Sequence, residues 1–192
     1  MFNANEGKSK KCLTSQNYYK AIAILFFTMQ LLDKEQIKQK IRRLAIQILE
    51  NNLEEEEIIL AGINNNGLSF AKLLHKQLKK ISDIPVSLTR IRLSPARPTE
   101  EDVQVEMPLA ALHQKAIIIV DDVANTGRTI FYAFQPLLQV LPRKVEVAVL
   151  VDRKHKSFPI EVNYWGLSLA TTLQEHIEVN LKRQEDFAVF LS

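Results

Sequence analysis

Apolar residues at Ile37, Ile41, Leu44 and Ile48 recur every three or four positions. That period predicts a helix with one buried stripe. Asp33 and Gln36 fit a capping-box start, and Asn51-Asn52 mark the end. Leu68, Ala71, Leu74, Leu78 and Ile81 predict a second helix, and Ile130 to Leu141 a third. Between them lie short apolar runs that read as strands: Ile58 to Ala61, Pro85 to Leu93, Ile117 to Val120 and Val145 to Val151. Further strands are expected at Pro159 to Trp165, Gln174 to Leu181 and Asp186 to Leu191. Ile117 to Val120 is four apolar residues in a row, all β-branched, which suits a strand buried on both faces of a parallel sheet. Strands alternating with helices predict an α/β domain.

Two places repeat the order strand, polar glycine turn, helix. The first is Gly62-Ile63-Asn64-Asn65-Asn66-Gly67. The second follows Ile117 to Val120 and reads Asp121-Asp122-Val123-Ala124-Asn125-Thr126-Gly127-Arg128-Thr129. Its acids fall at the C-terminal edge of a strand, where open α/β sheets hold ligands. Its turn offers backbone N–H groups and hydroxyls at the start of a helix, an arrangement that suits an anion. Carboxylates beside a phosphate cradle predict a sugar phosphate, with the acids on ribose hydroxyls.

Composition adds little and excludes some classes. The chain of 192 residues is long enough for one domain with a sizeable core. A net charge of +3 does not by itself imply nucleic acid. Cys12 is the only cysteine, which rules out an intrachain disulfide and a multi-cysteine zinc site, and fits a reducing cytosol. Residues 1–17 are polar, with Lys8, Lys10 and Lys11, and Ala21 to Phe27 is apolar. That run is too short to cross a bilayer, which takes ~20 residues. No small-x-small cleavage site follows it, so the expectation is a poorly packed tail or appended extension over residues 1–31, with Met29 a candidate start. The domain proper is placed at 32–192. Glu54 to Glu57 reads as a solvated turn. Ser94 to Pro108 has three prolines and no clean period, and a loop of that length is usually functional or disordered.

Val-Asp-Asp-Val-Ala-Asn-Thr-Gly-Arg-Thr, residues 120–129, resembles the phosphoribosyl diphosphate (PRPP) signature of type I phosphoribosyltransferases. Leu150 to Ile160 and Tyr164 to Thr172, with strands around Ile177–Leu181 and Phe187–Phe190, resemble the hood of one branch. That branch is the bifunctional pyrimidine-operon attenuation regulator with uracil phosphoribosyltransferase activity. The resemblance covers about residues 32–191. It implies a three-layer α/β fold: a central, mainly parallel sheet flanked by helices, with a small C-terminal hood.

The resemblance implies roles as well. Asp121 and Asp122 would meet the ribose hydroxyls and the outer shell of a Mg²⁺ ion carried with PRPP, without a dedicated metal cage. Val123, Ala124, Asn125, Thr126, Gly127, Arg128 and Thr129 would cradle the 5′-phosphate. Asn64, Asn65, Asn66 and Gly67 would form the pyrophosphate loop. Arg90, Arg92 and Arg97 are candidates to meet phosphate oxygens from a lid over Ser94 to Pro108. Val151, Asp152 and Arg153 are hood candidates beside the base. Asn125 replaces the aspartate that handles the base proton in the purine branch. Asn cannot accept that proton, so the expected base is uracil, with its more acidic N–H.

Two departures qualify the pattern. The branch carries a lysine or arginine in the pyrophosphate loop, where this chain has only asparagine. No basic-acid-acid triplet follows the strand near Leu93. Mg²⁺, a lid arginine or a partner subunit would have to replace the missing charge. The expected function is transfer of a phosphoribosyl group from PRPP to uracil, in the cytoplasm, by a homodimer or larger assembly. The alternative is a nucleotide-sensing RNA-binding regulator, using Lys38, Arg42, Arg43, Arg143, Lys144, Arg153, Lys154 and Lys156 as a basic surface.

Overall fold

The computed structural model describes residues 29–170 and 176–192. The expectations for residues 1–28, for the end of the Tyr164–Thr172 match and for the start of the strand at Gln174 lie outside them. A six-stranded sheet forms the centre. Its strands are β2 (Ile58–Ile63), β3 (Val86–Arg92), β4 (Gln104–Val105), β5 (Ala116–Ala124), β6 (Lys144–Arg153) and β7 (Tyr164–Leu169). Their order is β4-β3-β2-β5-β6-β7. All neighbours pair parallel except the short edge strand β4. A second sheet joins β1 (Met29–Leu32), β9 (Ala188–Leu191) and β8 (Ile177–Asn180) antiparallel.

Alternation along the central strands explains the layers. Ile58, Leu60, Ile118 and Val120 pack on one face against helices α1 (Lys34–Glu50) and α2 (Asn64–Ile81). Ile59, Ala61, Ile63, Ile117 and Ile119 pack on the other, against helix α3 (Arg128–Ala133) and the turn of 3₁₀ helix after it. Residues 117–120 are wholly buried, as a doubly covered parallel strand requires. Each such side chain taken from water contributes about 1.5–3 kcal/mol. Helix α1 starts on the capping box expected of Asp33 and Gln36. It ends where the Asn52 side chain bonds back to the Ile48 carbonyl at 2.8 Å.

Several boundaries differ from the sequence pattern. Residues 29–31 belong with the domain and not the tail, because β1 pairs with β9. β5 runs on through the two acids to Ala124. α2 begins at Asn64 and not Leu68, so the three asparagines form its first turn, with Asn64 at φ +49°. The helix expected over Ile130 to Leu141 is six residues long and gives way to 3₁₀ geometry at Gln135–Gln139. Pro136 lacks the N–H that an α-helix needs there. β7 starts at Tyr164, the C-terminal end of the expected strand.

The acidic run is not simply solvated. Glu55 pairs with Arg143 at 3.4 Å and lies within 4.0 Å of Lys144, while Glu57 meets Lys115 at 3.4 Å. Among the described residues, no helix is long and apolar enough to cross a membrane.

Candidate functional site

The C-terminal ends of β2, β3, β5 and β6 share one edge of the sheet, and the site is assembled there. Consecutive strand residues point to opposite faces, and Asp121 and Asp122 differ accordingly. Asp121 is buried, with 8% of its surface exposed. Burial, and then the charge of Asp122, hold its carboxyl well above the ordinary carboxylate range. Asp122 is half-buried. It accepts hydrogen bonds from the Val123 N–H and from Asn66 Nδ2, both at 3.0 Å. Asp122 is therefore the more exposed of the two acids at this edge. Asp121 lies beneath it and accepts the Asp122 N–H at 3.0 Å.

The cradle follows directly. Gly127 adopts φ +84°, a left-handed turn that folds the backbone back between β5 and α3. Thr126 Oγ1 lies 3.4 Å from the Arg128 N–H. With only six residues, α3 has a short dipole, so an anion here would rely on loop N–H groups and the hydroxyls of Thr126 and Thr129. The hood segment closes one side, where the N–H groups of Ser157 and Phe158 donate to the Thr126 carbonyl at 3.0 and 3.2 Å. The Arg128 guanidinium reaches the Ala96 carbonyl at 3.5 Å, which brings the long loop to the cradle.

The three asparagines of α2 each tie down a different part. Asn64 bonds both the N–H and carbonyl of Leu93, at 3.1 and 3.0 Å, and fixes the root of the long loop. Asn65 Oδ1 accepts from Arg90 at 2.9 Å. Asn66 holds Asp122. Gly67 lets this turn approach β5: a Cβ there would lie 2.3 Å from the Val120 carbonyl oxygen.

The remaining sequence-predicted residues divide. Arg90 and Arg92 come to the site edge and both bond Glu106. Arg97 pairs with Glu100 on the exposed loop at 3.3 Å. Val151 is fully buried in the core and presents no side chain to the site. Asp152 is held by Lys156 at 2.5 Å. Arg153 is buried and donates to Asn125 Oδ1 at 2.6 Å, so it joins hood to cradle. Glu106 went unassigned in the sequence because its partners Arg90 and Arg92 lie on β3, across the long loop; Lys156, read there as part of a basic surface, turns instead to Asp152 four residues back.

Residues 28–184 match the family model described as "Phosphoribosyl transferase domain". The chain belongs to the phosphoribosyltransferase family. Its curated relatives include the bifunctional protein PyrR of Streptococcus suis, 35% identical over 159 residues, covering 80% of this chain and 90% of that protein. The bifunctional protein PyrR of Streptococcus mutans is 34% identical over 165 residues, 83% of this chain and 92% of the relative. The hypoxanthine phosphoribosyltransferase of Trypanosoma cruzi shares the fold at a TM-score of 0.69 and 16% identity, over 84% and 94% of the two chains. A hypoxanthine-guanine phosphoribosyltransferase of Bacillus anthracis does so at 0.68 and 20%, over 86% and 98%. These agree with the family and fold expected from residues 120–129 and from the hood, and with the expectation of a phosphoribosyltransferase.

Proposed function

We propose that this site joins uracil to the ribose of PRPP, giving UMP and pyrophosphate. The observation that carries the reading is Asp122, held half-exposed by Asn66 and the Val123 N–H at the mouth of the Gly127 turn. A carboxylate so placed beside an anion cradle fits a ribose whose 5′-phosphate sits at Thr126 to Thr129. In the reaction the C1–N bond to the base forms, the C1–O bond to pyrophosphate breaks, and the proton of the base N–H leaves to water or to the released pyrophosphate. The chain holds the ribose, places the base nitrogen near C1 and meets the charge that develops on the leaving group.

Among the described residues, no three His, Cys, Asp or Glu side chains cluster as a metal site. Two adjacent carboxylates fit Mg²⁺ brought in with PRPP, since that ion keeps several waters and takes one or two protein acids. Asp122, with Asp121 behind it, would hold the ion, and the ion would neutralise phosphate charge.

Asn125 favours uracil. Its carbonyl oxygen is engaged by Arg153, so no group at this position takes a base proton. Asp152 and the backbone of 151–153 stand at the hood side as the contacts to the base. The reading places the enzyme in the reducing cytosol, in keeping with its single cysteine. The resemblance implies a homodimer or larger assembly.

A thermal-shift panel tests the ligand class. With Mg²⁺, PRPP and UMP should each raise the melting temperature, as ligands that bind only the folded state do. No shift with PRPP, or a larger shift with GMP than with UMP, would contradict the proposal.

A second reading, a nucleotide-responsive RNA-binding regulator, is favoured by the name "bifunctional" on the relatives and by the exposed Arg42, Arg43 and Lys154. Much of the basic surface is already paired: Lys38 with Glu35, Arg143 with Glu55, Lys144 with Glu146 and Lys156 with Asp152. Binding to its own leader RNA that weakens with salt and strengthens with UMP would support this reading. Indifference to UMP and to RNA sequence would remove it.

A further inference from the structure

α3 stops after six residues, and the face of β6 that a longer helix would cover opens into a cavity of about 750 Å³. Strand alternation sends Val145 and Val147 to this face, where they form the floor. Phe131, Tyr132 and Phe134 stand along one wall. Phe131 meets Tyr132 edge-on with ring centroids 5.7 Å apart, and lies 5.4 Å from the ring of Phe158. Pro98 of the long loop and Ile160 of the hood complete the lining on the other side. A concave, largely apolar space of this size with a few polar groups has the build of a small-molecule site.

The cavity is separate from the edge that carries Asp122. Neither Asp122 nor Thr126 nor Thr129 lines it. It lies behind the cradle: Ile160 lines the cavity and also backs Gly127, where a Cβ would meet Ile160 Cγ1 at 2.6 Å.

Its charged groups are all of one sign. Glu101 and Asp102 come from the long loop and Glu161 from just past the hood segment, and no Lys, Arg or His among the described residues lines the space. The three carboxylates make no ion pair among the described residues, whereas Glu55, Glu57, Glu106 and Asp152 each have a cation. Aromatic rings add to the same preference, because the face of a ring attracts a cation held over it. An anion is repelled here. The acids do not converge as a metal site either, among the described residues. Spaced carboxylates around an apolar floor match spaced positive charges joined by an apolar chain.

We infer that this cavity binds a linear organic polycation of the polyamine class. Its ammonium groups meet Glu101, Asp102 and Glu161, and its methylene chain lies over Phe131, Tyr132 and Val147. This inference does not depend on the PRPP reading.

Calorimetric titration of the full chain with spermidine tests it, in buffer holding Mg²⁺ so that simple charge is already supplied. Spermidine should still bind. Glu161→Gln should weaken it about fivefold, the scale of one solvent-screened ion pair. Phe131→Leu keeps an apolar wall but removes the ring face, and should also weaken it about fivefold. The double variant should lose roughly twentyfold or more, because the two groups act separately. Both side chains are exposed, so all three variants should melt with the wild type.

Absence of spermidine binding in Mg²⁺ buffer, or equal affinity in the wild type and the double variant, would overturn the inference. So would a second copy of the chain seated on this face. The protein would then sediment as a dimer that Leu138→Glu, at the exposed rim of the cavity, dissociates, and the dimer would take up no spermidine.

Discussion

Residue by residue, the two acids of the signature do different work. The sequence treats Asp121 and Asp122 alike; a strand that continues to Ala124 turns them to opposite faces, so one is buried and one is half-exposed at the sheet edge. The buried carboxyl has a stability consequence. Its folded value is raised above the 3.8 of an unperturbed aspartate, so the native state binds more protons than the unfolded state across that interval. Stability that depends on protonated Asp121 is complete below about pH 3.8 and is lost as pH rises through the raised value. Asp121→Asn should therefore melt higher than wild type near neutral pH in metal-free buffer, with the gain shrinking at acid pH. Chemical denaturation across pH checks this, and a variant less stable at every pH would contradict it. The Asn125 substitution was readable from residue type alone. Its bond to buried Arg153 was not, because that contact needs β5 and β6 side by side.

Among the elements, those with a long clean period were legible. The Asp33 cap, the stripe of α1 and the doubly buried strand β5 follow from spacing and β-branching alone. The start of α2 was not, since Asn-Asn-Asn-Gly is poor helix sequence and reads as a loop. Tertiary bonds from Leu93, Arg90 and Asp122 hold that turn instead. Gly67 is the pivot of this arrangement. Gly67→Ala places a methyl 2.3 Å from the Val120 carbonyl oxygen, where backbone cannot yield cheaply. The helix start should move away from β5, at a cost of about 1–3 kcal/mol. Urea denaturation should show that loss, and affinity for PRPP should fall with it as Asn66 leaves Asp122. A variant as stable as wild type would mean the approach is not tight. At the helix entry, Asp33→Ala should cost about 1 kcal/mol through loss of the cap alone, without changing ligand affinity.

For the whole molecule, family and sheet agree with the sequence, while the coupling between distant segments was hidden in it. The acids, the cradle, the three asparagines and the two arginines of β3 come from separate segments. Only the strand order β3-β2-β5-β6 brings them to one edge. The same order explains why the neutral turn at 64–66 need not leave the site without positive charge: Arg90 stands one strand away. It also sets Lys115 and Arg143 against the acidic run at the opposite end of the sheet.

The central claim is transfer to uracil at Asp122, and direct product formation tests it best. Purified full-length protein is incubated with Mg²⁺, PRPP and uracil, and UMP is measured beside an Asp122→Asn control. The account predicts UMP well above background in the wild type and a fall of ~10²-fold or more in the variant. Absence of UMP from the wild type, or equal UMP from both proteins, would contradict it.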